Sequence, residues 1–202
     1  HVMGLVGSGS KSFEVKDVFV PSHRVLDKKA NDEGRAPGTL FYSAPVSKLP
    51  RGGVSAVTYT AVAVGVAEGF LDTYIASTAT RKSRGNPVAG NPGIQMGIGV
   101  SSAEIEAASR IYLSSIRDCM QTLERGETYG AHENIKGKRD ACYAAQLAMQ
   151  GVSRLFNAAG GRALYSESAL QRQFRDCYAA CAHHSLVWDS AARSYGAFVL
   201  GK

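Results

Sequence analysis

The chain has 202 residues, a formal net charge of +6, 45% apolar residues and 20% charged residues. That composition supplies a sizeable core and excludes disorder as the organising state. The positive charge is scattered apart from Lys28-Lys29, Arg81-Lys82-Ser83-Arg84 and Lys136-Gly137-Lys138-Arg139, with no aromatic residues interleaved; it lacks the dense basic stripe of a nucleic-acid surface and suits an anionic small molecule held by a few arginines.

Residues 1–50 carry strand and turn signals. Ser12 to Val20 alternates imperfectly and stops at Pro21, glycines at 4, 7 and 9 make the preceding stretch a turn, and Pro45 and Pro50 punctuate the exit. Two or three strands are marginal alone, so this stretch is expected to be the end of a β-domain. The opening His1-Val2-Met3-Gly4-Leu5 has neither the basic start nor the apolar block of a signal peptide.

From residue 51 onward the period becomes helical. The spacing predicts helices over Val54–Thr80, 93–125, 134–158 and Glu167–Leu200, with Ser166 as the N-cap of the last. Four long helices on short loops make an antiparallel four-helix bundle over 51–202, a mainly α fold. The most apolar stretch, Val54 to Leu71, contains Ser55, Thr58, Thr60 and Glu68; it reads as a buried helix, and no membrane partner is expected. Cys119, Cys142, Cys177 and Cys181 form no CxxC pair and fall in helical segments, as expected of reduced thiols in a cytoplasmic protein.

Several positions stand out for chemistry. Gly160-Gly161-Arg162 follows a helix; one glycine suffices for a C-terminal cap, and the second, beside an arginine, allows close approach of a flat or anionic ligand. Arg81-Lys82-Ser83-Arg84 either complements a helix dipole or clamps a phosphate. His183-His184 falls inside the predicted last helix, where adjacent residues point about 100° apart, so one ring can face a cavity. Cys177, Cys181 and His184 share a helix face, but small thiols fill cores well and no metal is expected. Arg172 and Asp176 stand in an i,i+4 relation, and Trp188 and Tyr195 read as core or interface aromatics.

In this order the motifs resemble the acyl-CoA dehydrogenase superfamily, and within it the reduced-flavin-dependent, two-component monooxygenases. Three segments carry the resemblance: Gly4 to Ser10 followed by Val15 to Pro21; Arg81-Lys82-Ser83-Arg84-Gly85; and Gly160-Gly161, Leu170 to Asp176, then Ala182-His183 with Asp189 six residues on. The resemblance implies a C-terminal four-helix bundle preceded by the end of a middle β-domain, usually in homotetramers. It implies reduced FMN or FAD delivered by a separate flavin reductase, and hydroxylation of an aromatic or polycyclic substrate with O2. By the same resemblance Arg81 and Arg84 contact flavin phosphate, Gly160, Gly161 and Arg162 contact the cofactor, and His183 is the catalytic histidine, chosen over His184 by its spacing to Asp189. An acyl-CoA dehydrogenase would need a carboxylate base near the glycine pair, and Gln150 to Asn157 contains none. A non-catalytic helical assembly module is the third reading. A fragment of this kind would be inactive alone.

Overall fold

The computed structural model describes residues 2–49 and 51–202, with the side chains of 51–55 left out. The predicted stop at Pro50, the boundary beside it and the first residue His1 lie outside the described residues. After a short α1 (Lys28–Asp32), five helices follow: α2 (Arg51–Thr80), α3 (Pro92–Glu124), α4 (Ala131–Ala158), α5 (Ala169–Cys181) and α6 (Trp188–Val199). α3 begins where its caps direct: the Asn91 side chain accepts from the Gly93 and Ile94 amides, and Pro92 needs no intrahelical donor there. It ends at Arg125, with Gly126 at φ 75° turning the chain out.

The core is built from small side chains that let helices approach closely. Ala67 and Phe70 of α2 pack with Ala144, Ala148, Val152 and Leu155 of α4 and Cys177 of α5, all at most 1% exposed, and Ala63 of α2 joins a second cluster with Ala141 and Cys142 of α4. Each larger apolar side chain so enclosed stabilises the bundle by roughly 1.5–3 kcal/mol. The hydroxyl of Thr60, fully buried, donates both to its own helix at Ala56 O and across to Ala141 O of α4, each at 2.9 Å. A Cβ on Gly151 would stand 3.0 Å from Ile105 Cγ1, which measures how tightly α3 and α4 meet. Among the described residues no helix is long and apolar enough to cross a membrane. All four cysteines are free thiols, as expected. The hydrogen bond with Cys181, and then burial, push the Cys177 thiol well above its ordinary value.

Four expectations are corrected. The stretch from Ser12 to Val20 forms no strand; it runs unpaired, with Phe13 88% and Phe19 86% exposed, because nothing in the described chain offers it a ladder. The strands present among the described residues are a two-residue pair, β1 (Lys82–Ser83) and β2 (Asn86–Pro87), joined through Arg84 (φ 50°) and Gly85 (φ 84°) in a tight antiparallel turn.

The last predicted helix is two helices, and the histidines sit in the break. α5 ends at Cys181, His183 is extended (φ −64°, ψ 139°), and a 3-10 turn over His184–Leu186 leads into α6. The cause is local: His183 Nδ1 accepts the Ser185 amide at 3.2 Å, an alternative to the helical ladder. The Cys142 thiol holds the Ser185 carbonyl at 3.5 Å. The start of α5 moves with it: Ser168, not Ser166, is the N-cap, and Ser166 instead hydrogen-bonds Glu167 and receives Gln171 on its carbonyl.

Asp176 is also redirected. It accepts from the Leu5 amide at 2.6 Å, with no ion pair to Arg172 among the described residues, while Arg175 donates to Met3 O at 2.7 Å. Between these contacts lies Gly4, where a Cβ would stand 2.1 Å from Arg175 O; only glycine admits this approach of the N-terminal segment to α5.

Candidate functional site

α2 and α4 end side by side, and the loops leaving them wall a cleft of about 530 Å³. Arg81, the first residue beyond α2, reaches across: its Nη1 donates to Ala159 O and its Nη2 to Ala158 O at 3.1 Å. It thereby caps the C-terminal end of α4, whose last carbonyls have no partner within the helix. The dipole reading of this basic cluster therefore holds for a neighbouring helix, not for α2 itself.

The glycine pair follows at once. Gly160 adopts φ 77°, where an L side chain is strained, and a Cβ there would stand 3.5 Å from Arg81 Nη1. Gly161 opens a 3-10 turn running to Leu164, nothing approaches its Cβ position, and Arg162 beside it is exposed. Arg81, Gly160, Gly161 and Arg162 thus line one cleft, with Lys82 and Asn91 added by the structure. Arg84 does not join them; it stands exposed at the tip of the β1–β2 turn.

Three cations and no carboxylate line the cleft, which makes it anion-seeking. Arg81 Nε is buried with no hydrogen-bond partner among the described residues. An N–H donor in that condition is costly, and a phosphate oxygen is the kind of acceptor that suits it. The residues present therefore fit the phosphate-bearing part of a flavin nucleotide.

His183 belongs to a different place. Its ring stacks on Tyr59 of α2, with centroids 3.4 Å apart and planes 20° from parallel, and leans on His184 at 4.2 Å. Burial, and then the charge of His184, push His183 below the ordinary histidine value. Tyr59, in the N-terminal half of α2, and Arg81, just past its C-terminal end, are 22 residues apart, roughly 33 Å along the helix axis at 1.5 Å per residue. Within one chain, the cleft and the histidine do not form one pocket.

Nothing in the sequence links Tyr59 to a histidine 124 positions away. Cys177 and Cys181 stay on α5 while His184 leaves it, and no group of metal-ligating side chains occurs among the described residues. Trp188 packs on Tyr143 at 5.2 Å, and Tyr195 lies under Arg139 at 4.0 Å, so both are packing aromatics as expected.

The family model for the acyl-CoA dehydrogenase C-terminal domain matches residues 57–188. Over 204 residues the chain is 33% identical to the flavin-dependent monooxygenase oxygenase subunit HsaA of Rhodococcus jostii (strain RHA1), covering 97% of this chain and 52% of that protein. It is 29% identical over 212 residues to the FADH(2)-dependent resorcinol hydroxylase oxygenase component of Rhizobium sp. (strain MTP-10005), covering 100% and 52%. The crystal structure of 3-HSA hydroxylase from Rhodococcus sp. RHA1 superposes with a TM-score of 0.92 at 32% identity, over 100% of this chain and 53% of that one. The chain spans about half the length of the curated relatives it matches.

Proposed function

We propose a function from one premise: the chain belongs to the acyl-CoA dehydrogenase C-terminal-domain family. It is the C-terminal part of the oxygenase component of a two-component monooxygenase. That enzyme hydroxylates an aromatic or polycyclic substrate with O2 and reduced FMN or FAD, which a separate reductase supplies. The observation that carries this reading is the carboxylate-free cationic cleft in a chain 33% identical to a flavin-dependent oxygenase subunit across nearly its whole length. A dehydrogenase would need a carboxylate base near the glycine pair, and no acidic residue lines the cleft.

Bound reduced flavin would supply the electrons and the oxygen chemistry. Arg81, with its free Nε–H, and Arg162 hold the phosphate end, and Lys82 adds charge. Gly160 and Gly161 keep side chains out of the way so that backbone meets ligand. His183 is the proton-handling residue of the reacting end: its depressed pKa favours the neutral ring at physiological pH, in which Nδ1 accepts the Ser185 amide and Nε2–H is the donor. Arg84 contributes to the field around the cleft from its turn and makes no contact in it.

Because His183 and Arg81 are far apart along α2, the working site takes its phosphate cleft and its histidine from different copies, in a homotetramer. The exposed apolar side chains Met96, Val100 and Leu113 of α3 and Tyr143 of α4 support such an assembly. Free thiols at all four cysteines support a cytoplasmic setting.

The test is hydroxylation by the full-length oxygenase component, coupled to a flavin reductase. His183→Ala is expected to lower product formed per O2 consumed by 10²-fold or more with reduced-flavin affinity unchanged. Unaltered coupling in that variant would remove His183 from the chemistry, and failure of the full-length wild-type protein to bind reduced flavin would end the reading.

A further inference from the structure

The Tyr59–His183 stack lies at the edge of the bundle. Tyr59 is 36% exposed, whereas the next residue, Thr60, is fully buried and hydrogen-bonded into α4. The tyrosine ring is thus carried on a rigid point of the fold and spends its face on an imidazole. On the other side the Ser185 amide donates to His183 Nδ1. Ser185 and Leu186 are 8% and 6% exposed, and Cys142 holds the Ser185 carbonyl, so this donor is as fixed as the tyrosine.

A backbone amide can only donate. Nδ1 must therefore be bare, and in a neutral ring the proton sits on Nε2. The hydrogen bond alone leaves the ring's plane loosely set, because rotation of an aromatic ring about χ2 is broad. Stacking at 3.4 Å sets that plane.

We propose that Tyr59 is the positioning residue for His183: its ring, together with the Ser185 amide, holds the imidazole as a single tautomer with Nδ1 accepting and Nε2–H as the outward donor. The function of that donor rests on the reading above; the geometry does not. For a hydroxylating site the consequence is a proton held at one named atom, in a fixed plane, by groups outside the reacting centre.

The experiment is ¹⁵N NMR of the histidine side chains at neutral pH in the wild-type protein, Tyr59→Phe and Tyr59→Leu, with melting temperatures in parallel. Wild type and Tyr59→Phe should show two well-separated nitrogen resonances for His183, one pyrrole-like and one pyridine-like. Tyr59→Leu should draw them together as the tautomers average. A folded Tyr59→Leu with the wild-type pattern overturns the proposal, as does tautomer averaging in the wild type, a result that stands even if the leucine variant fails to fold. In the reductase-coupled assay Tyr59→Leu should lose about tenfold in turnover, a part of the 10²–10⁴-fold that general acid–base catalysis supplies, with Tyr59→Phe restoring it and reduced-flavin affinity unmoved. A tautomer locked in the wild type and averaged in Tyr59→Leu, with turnover unchanged between them, supports the positioning and sinks the reaction assigned to it, so the two failures are distinguishable.

Discussion

Replacing Arg81 with alanine separates two roles that one guanidinium carries. The side chain donates to the carbonyls of Ala158 and Ala159 at the end of α4. A hydrogen bond from a charged donor is worth about 1.5–3 kcal/mol when buried, and a cation at a helix C-terminus adds about 0.3–1 kcal/mol. Arg81 is only half-buried, and water re-solvates the freed carbonyls, so the net loss should be about 1–2 kcal/mol. For a chain of this length about 1 kcal/mol moves the melting temperature by about 2–4 °C, giving an expected drop of roughly 2–8 °C by circular dichroism. Arg81→Lys keeps the charge but not the fork, and should fall between. Reduced-flavin affinity, measured by fluorescence titration well below the melting temperature, should fall at least tenfold in the alanine variant. A melting point within 1 °C of wild type would refute the capping argument. A full stability loss with unchanged affinity would leave Arg81 a helix cap and nothing more.

Gly4→Ala would place a methyl group 2.1 Å from Arg175 O; the N-terminal segment should detach from α5, seen as faster amide exchange at Leu5, while the bundle keeps its melting temperature to within a few degrees. His184→Gln removes a charge that opposes protonation of His183 and should raise its NMR titration midpoint without restoring it fully, since burial remains the larger cause. His183 is depressed in the folded state, so the unfolded chain takes up its proton first as pH falls. Its contribution to stability is therefore intact above about pH 6.5 and is lost below it, which urea midpoints across pH 5–8 will show.

α2, α3 and α4 were legible because their information is local. Asn91-Pro92 announces a helix start, and the glycines at 126 and 160–161 mark ends that small and apolar side chains at helical spacing had already implied. The break at His183 was not, because Ala182 and Leu186 are good helix formers. What stops the helix is one amide turning to a neighbouring imidazole while a thiol from α4 holds the same peptide. The stretch from Ser12 to Val20 carries strand-like composition, but a strand exists only with a neighbour, and composition does not say where the neighbour is. At the candidate site the glycine pair and Arg162 could be suspected from their order alone. That Arg81 meets them, and that Tyr59 meets His183, are facts of packing between positions 78 and 124 residues apart.

The length of α2 has a consequence of its own. A rigid rod of about 33 Å between Tyr59 and Arg81 keeps the two halves of the machinery independent: damage at one end leaves the local chemistry of the other untouched. Under the proposed sharing of a site between copies of the full-length protein, a chain broken at Arg81 and a chain broken at His183 would each still carry one sound half. Paired together, they assemble one pocket from the two intact ends and another from the two broken ones, so two inactive proteins can rebuild an active one by mixing.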